Sequence, residues 1–206
     1  MAESRRGWPC WSLAVVASMV LMFVAPSKYF IPAAYFATSV MFVAAWRLGA
    51  LSGRFKPSVR SIALGLAAAV LLYFIFYAGN AGIAALHPFG VSQSNEGTIY
   101  ALIASPSNPA WVQVGVLAFD AVGYEAFFRG YLQNGPLART GRFAPFSSAL
   151  VDAAIHVTTL NPLWVVTTFI ADSVWGVDNR FAKELSSNVV SHFVWDVLIF
   201  LLFPIR

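Results

Sequence analysis

Charge is scarce in this chain: only 11% of its 206 residues are Asp, Glu, Lys or Arg. A soluble globular domain carries about 25%, so this composition argues against a water-soluble globular protein. Cysteine is scarcer still. Cys10 stands alone, which excludes an intramolecular disulfide and leaves a thiol with no evident chemical task. The sequence also lacks an internal repeat, a low-complexity tract, a glycine-rich nucleotide loop, a heptad pattern and a His-Glu-x-x-His motif. Nucleotide-loop enzymes, coiled coils and the commonest helical zinc-hydrolase pattern therefore have no support.

Apolar runs are abundant. The stretches 7–25, 29–46, 61–86 and 98–119 contain no charged residue, and 145–160, 162–177 and 185–203 are apolar apart from single charged or His residues. Each approaches or exceeds the roughly 18–20 residues a helix needs to cross a bilayer core. In lipid only helices and closed barrels satisfy their backbone groups, and these runs lack the strict alternation of barrel strands. The expected fold is all-α, a polytopic transmembrane bundle of about seven helices.

Lys and Arg set its orientation. With the N-terminus cytoplasmic, Arg5, Arg6, Arg47, Arg54, Lys56, Arg60, Arg139, Arg142, Arg180 and Lys183 fall inside, and only Lys28 and Arg206 fall outside. That asymmetry points to a cytoplasmic (inner) membrane with the N-terminus inside. A cleaved signal peptide is the alternative for the first run, since Arg5 and Arg6 precede it, but the run is long and shows no small-residue cleavage site before Pro26. The cations belong to short loops and form no separate basic face, so the expected partners are membrane lipids and no nucleic acid. Nothing in the sequence sets an oligomeric state.

The organisation is uneven. Residues 1–86 form a three-helix region with no ionisable residue inside an apolar run, and read as packing and anchoring. Residues 87–108 form a polar connection dense in Pro, Gly, Ser and Asn, with His87 a solvated loop residue. Within it, 99–104 is a short apolar piece expected to lie along the outer interface. Residues 109–206 form a four-helix region holding Asp120, Glu125, Arg129, Asp152, His156, Asp172, His192 and Asp196 inside or at the ends of its spans. A charge at mid-bilayer costs about 3 kcal/mol or more, so such residues face one another or a wet cavity. A site in the interior of this region is the default expectation.

Spacing organises these residues. Glu125 and Arg129 lie four apart and share a helix face. So do Asp152 with His156, and His192 with Asp196. A carboxylate beside an imidazole sets its tautomer and raises its basicity. Two such pairs on separate helices point to convergence on one site.

The motifs Tyr124-Glu125-x-x-x-Arg129-Gly130, His156 on the following helix and His192-x-x-x-Asp196 on the last resemble the CPBP family, the CAAX prenyl endoproteases and bacteriocin-processing proteins. The resemblance covers about 123–203. It implies an intramembrane glutamate-type endopeptidase acting on a membrane-presented protein or peptide, with no cofactor and no metal. By resemblance, Glu125 is the water-activating or orienting carboxylate and Arg129 holds it. His156 is its partner, and His192 with Asp196 forms the oxyanion side. Two positions depart from the family motifs. Tyr124 stands where the first Glu of Glu-Glu-x-x-x-Arg is expected, and Asp152 stands where Phe-x-x-x-His has its Phe. Asp120, one turn before Tyr124, and Asp152, one turn before His156, are the substitutes for the missing carboxylate. The rival readings are a catalytically inactive relative acting as an immunity or regulatory factor, a metal-binding protein, and an ion-relay protein.

Overall fold

The computed structural model describes residues 8–86, 93–104 and 108–205. His87, Arg5, Arg6 and Arg206 lie outside the described residues. The architecture is all-α, with no β-strand among the described residues. In chain order the helices are α1 (Trp8–Val24), α2 (Phe30–Arg47), α3 (Val59–Leu86), α4 (Gln93–Ile103), α5 (Ala110–Glu125), α6 (Ala144–His156), α7 (Pro162–Ala182) and α8 (Leu185–Asp196). Two of them do not end where their α-helical geometry ends. α5 runs on into a π-helical segment, Ala126–Gln133, and α8 into another, Val197–Leu202.

Among the described residues, three segments are long and apolar enough to cross a membrane: Ser27–Arg47, Val59–Gly82 and Leu185–Leu202. α1 is shorter, and the described part of its apolar run is Pro9–Val24. α6 has only 13 residues. α5 with its π continuation, and α7, carry the buried ionisable residues instead of a clean apolar run. Side chains such as Leu13, Phe74, Trp111 and Leu160 point outward, the last 89% exposed. Apolar surface of this extent is stable only against lipid, and the chain is an integral membrane protein.

Packing divides the helices into two clusters. α1, α2 and α5 share a core built on Val15, Met19, Ala37, Met41, Val116 and Phe128. α3, α7 and α8 share a second, around Leu72, Ala171, Trp175, Trp195 and Ile199. Only 17% of the α3 span is buried, against 50% of the last span. α3 is therefore peripheral and α8 central. α6 packs on α7, and α5 meets α8, so the four elements bearing ionisable residues face one another.

Local chemistry explains the boundaries. Asn161 caps α7, its Oδ1 accepting from the backbone of Leu163 at 3.1 Å and Trp164 at 3.3 Å, with Pro162 in the first turn. Both are preferred residues at those positions. Helix α4 occupies what the sequence reads as a polar loop. Gly and Asn disfavour helix there, but tertiary contacts override propensity. Ile99 is buried, the Tyr100 ring lies 5.6 Å from that of Phe200, and the Tyr100 hydroxyl accepts from the Ile205 amide at 3.0 Å.

The α3–α8 crossing depends on a missing side chain. A Cβ at Gly65 would lie 2.6 Å from the Ser187 carbonyl oxygen and 2.8 Å from Val190 Cβ. Small residues let membrane helices approach in this way. At Gly79 on the same helix nothing described lies within 4 Å. Gly65→Ala is expected to destabilise the protein by about 1–3 kcal/mol, read as a lower melting temperature in detergent, while Gly79→Ala leaves it unchanged or raises it.

Candidate functional site

The site is built around a buried guanidinium. Arg129 sits in the π-helical continuation of α5, fully buried with 0% exposure. Its Nη2 donates to Asp172 Oδ1 at 2.5 Å and its Nη1 to Asp172 Oδ2 at 3.3 Å, a bidentate pairing from α5 to α7. Nη1 also reaches Ser148 Oγ on α6 at 3.4 Å, and that hydroxyl donates to the Phe128 carbonyl at 3.2 Å. On the other side, Arg129 Nε lies 3.3 Å from Glu125 Oε2. One cation is thus shared by two carboxylates, both 0% exposed.

Glu125 passes this order on to a histidine. Its Oε1 lies 2.8 Å from His192 Nδ1, which donates to it. The opposite ring nitrogen of His192, Nε2, is 3.6 Å from Asp196 Oδ2. The imidazole is stacked on Trp175, with ring centroids 4.0 Å apart and an interplanar angle of 18°, and meets the Tyr124 ring edge-on at 5.1 Å. Trp175 is itself tied down, its indole N–H donating to Ser191 Oγ at 3.1 Å. His192 is therefore held at both ring nitrogens and by two aromatic rings.

His156 closes α6. Its Nδ1 lies 3.0 Å from the Asp152 carbonyl oxygen and 3.5 Å from Asp152 Oδ1. The first contact makes Nδ1 the protonated nitrogen and leaves Nε2 with the lone pair. Phe23 and Trp164 flank the ring, with centroids 4.6 and 5.8 Å away. Asp152 Oδ2 accepts from the Tyr124 hydroxyl, so the two positions that depart from the family motifs touch each other. Asp120 Oδ1 accepts from Thr38 Oγ1 of α2 at 2.7 Å.

A cavity of about 150 Å³ joins these groups. Asp120, Tyr124, His156, Asp172, His192 and Asp196 line it, together with an apolar wall that includes Met19, Phe23, Phe30 and Trp164. Glu125, Arg129 and Asp152 are not among its lining residues. Glu125 and Tyr124 are neighbours in sequence but about 100° apart around the helix, and it is the tyrosine that faces the cavity. Short α6 brings His156 within about 18 Å of the end at which that helix begins, near the level of His192, which a full-length span would have carried away. Among the described residues no three His, Cys, Asp or Glu side chains are grouped to hold a metal ion.

Three contributors escape sequence spacing. Asp172 has no partner four residues away on its own helix, so only its presence in an apolar run marks it. Trp175 and Ser148 carry no signal that distinguishes them from ordinary core residues. Removing Arg129 strands two buried carboxylates, and breaking such a pair costs about 3–5 kcal/mol. Arg129→Met is therefore expected to abolish or severely reduce folded protein in detergent, while Arg129→Met combined with Glu125→Gln and Asp172→Asn recovers part of the loss, as read by thermal unfolding.

Comparison with known proteins agrees with this region. The family model described as "Type II CAAX prenyl endopeptidase Rce1-like" matches residues 106–198, which hold every ionisable residue of the site. No curated protein and no solved structure matches the chain. The match bears out the resemblance carried by the three short motifs: residues 106–198 are similar to the type II CAAX prenyl endopeptidase Rce1-like family.

Proposed function

We propose that this protein is an intramembrane peptidase that hydrolyses a peptide bond near the end of a membrane-presented protein or peptide. The observation that supports it most is the common cavity. His156, His192, Asp120 and Asp196 all border it, while Arg129 and Glu125 stand behind it and Glu125 holds His192. The family name brings a prenylated C-terminal peptide forward as the first substrate to try. The basic loop residues put the N-terminus on the cytoplasmic side in this reading.

The chemistry follows from which atoms reach the cavity. A water there can lose a proton to His156 Nε2, since Nδ1 is committed to the Asp152 carbonyl. Asp120 borders the same space with one oxygen held by Thr38, and serves as the carboxylate that orients or deprotonates the water. Positioned proton transfer of this kind contributes about 10²–10⁴-fold. The hydroxide attacks the scissile carbonyl, and His192 with Asp196 stabilises the oxyanion. Asp196 donates in this role only when protonated. The proton taken from water passes to the leaving amine. Glu125 has both oxygens engaged, so in this scheme it orients His192 instead of touching the water.

One observation favours a second reading. Tyr124 presents a phenol where the family motif presents a glutamate, and an unperturbed tyrosine ionises near pH 10 and is a poor base at neutral pH. A non-catalytic member that binds peptides without cleaving them would keep the scaffold and lose this group.

Cleavage of a fluorogenic prenylated peptide by purified protein in detergent separates the two. Asp120→Asn, His156→Ala and His192→Ala are each expected to lower kcat/KM by at least about 10²-fold with melting temperatures near the parent's. Full activity in Asp120→Asn would remove Asp120 from the mechanism. Tyr124→Phe is expected to keep most activity, because the phenol transfers no proton in this scheme. A parent that cleaves no peptide tested, with activity appearing in Tyr124→Glu, would establish the non-catalytic reading.

A further inference from the structure

A second polar pocket lies at the opposite extreme of the bundle from the apolar wall of the site. Its volume is about 530 Å³, and its lining draws on three connections: Arg54 from the α2–α3 turn, Gln133 and Gly141 from the stretch after α5, and Asn179, Arg180 and Lys183 from the end of α7. The connections are pinned together. The Leu185 amide donates to the Arg54 carbonyl at 2.9 Å, and the Lys56 amide to Ser186 Oγ at 3.1 Å. Arg180 Nη1 donates to the Gly141 carbonyl at 3.1 Å.

Three cations meet there without a counter-charge. Among the described residues, Arg54, Arg180 and Lys183 form no ion pair. The carboxylates nearest in sequence are Asp178 and Glu184. Neither lines the pocket, and Asp178 Oδ2 is taken by the Ser187 hydroxyl at 2.7 Å. Surface charge alone makes no site, but here a second observation points to a ligand. Asn179 is 2% exposed and lines the pocket, yet neither its amide nitrogen nor its oxygen has a hydrogen-bond partner among the described residues. Gln133, 4% exposed, donates from Nε2 to the Gly176 carbonyl at 2.8 Å, which settles the orientation of its amide and leaves Oε1 unpartnered. Buried polar groups are ordinarily satisfied, and an exception of this kind points to a ligand.

The unmet groups describe that partner. Three cations and the Asn179 amide N–H ask for an anion of high charge density. The oxygens of Asn179 and Gln133 repel an anion and ask for donors close to it. A phosphate ester with neighbouring hydroxyls meets both demands. We propose that this pocket binds a hydroxyl-bearing phosphate ester, the chemistry shared by the headgroup of an anionic phospholipid such as phosphatidylglycerol and by free glycerol phosphate. Arg54, Arg180 and Lys183 hold the phosphate oxygens, and Asn179 and Gln133 accept from the hydroxyls. The pocket shares no lining residue with the cavity that holds the two histidines.

Native mass spectrometry of the full-length protein released from detergent, with phosphatidylglycerol or phosphatidylcholine added, tests this. The parent is expected to retain phosphatidylglycerol at least tenfold over phosphatidylcholine. Arg54→Gln with Arg180→Gln and Lys183→Gln should lose that preference. Arg47→Gln with Lys56→Gln and Arg60→Gln removes the same charge outside the pocket and should keep it. Asn179→Leu, which changes no charge, should weaken retention at least threefold. If the triple pocket variant does not fold, the exposed single changes Arg180→Gln and Lys183→Gln carry the same comparison. Displacement of the lipid by millimolar glycerol 3-phosphate identifies a free ester as the ligand, and failure to displace it identifies the lipid. Equal loss in the pocket and control triples, or inorganic phosphate binding as tightly as either ester, would overturn the proposal.

Discussion

The pairing of Arg129 with Glu125 and Asp172 is the constraint on which the rest of this bundle depends. A guanidinium with no exposure cannot shed its charge, because arginine does not deprotonate in proteins. In a low dielectric it must be neutralised by contact. Its nitrogens reach α7 through Asp172, α6 through Ser148 and its own helix through the ion pair with Glu125. Three helices are thereby held at one level by one side chain. The same contact orients His192, whose Nδ1 donates to the other oxygen of that glutamate. Structure and reactivity meet in that hydrogen bond.

A second constraint concerns volume. The family motifs put a carboxylate on the helix that is α5 here and an aromatic ring on α6. This chain has the aromatic, Tyr124, on α5 and the carboxylate, Asp152, on α6, and the two side chains are hydrogen-bonded. Exchanging a ring and a carboxylate between facing helices keeps the interior filled, which close-packed cores require. It does not keep the chemistry in place. Asp152 is fully buried behind Tyr124, whereas the group facing the cavity is now a phenol. The two departures, separate in the sequence, meet in one contact, and the carboxylates that line the cavity are Asp120, Asp172 and Asp196. Asp120 is the lining carboxylate that neither neutralises Arg129 nor sits beside His192.

Much of the architecture was legible because lipid imposes simple rules. Runs such as 61–86 and 185–203 leave helix as the only answer, and the concentration of ionisable residues after position 110 marks the region where side chains must find one another. Helix α4 was not legible, because its stability comes from Ile99 and Tyr100 packing onto distant helices and not from local propensity. The π-helical segments after Glu125 and Asp196 have no sequence pattern of their own, though such segments gather at functional sites. Spacing at four residues finds partners on one helix only. It therefore pairs Glu125 with Arg129 but misses Asp172, 43 residues further on. It also cannot say which of two adjacent residues, Tyr124 or Glu125, turns to the cavity, since that depends on where α2 and α8 sit.

The cavity's two kinds of wall suit a reaction that needs water inside a membrane. A buried water needs on the order of 10–15 Å³ of cavity, so about 150 Å³ admits several. They can persist only where polar groups hold them, beside His156, His192, Asp120 and Asp196. The apolar remainder, from Met19, Phe23, Phe30 and Trp164, offers them nothing and is better filled by a hydrocarbon portion of a ligand. Water and apolar ligand are thus sorted to opposite sides of one space. Electrostatic interactions at the polar side act with little screening, so small displacements of His192 on Trp175 have large effects on any charge developing there. That sensitivity is why a site of this kind needs the rigid arginine behind it.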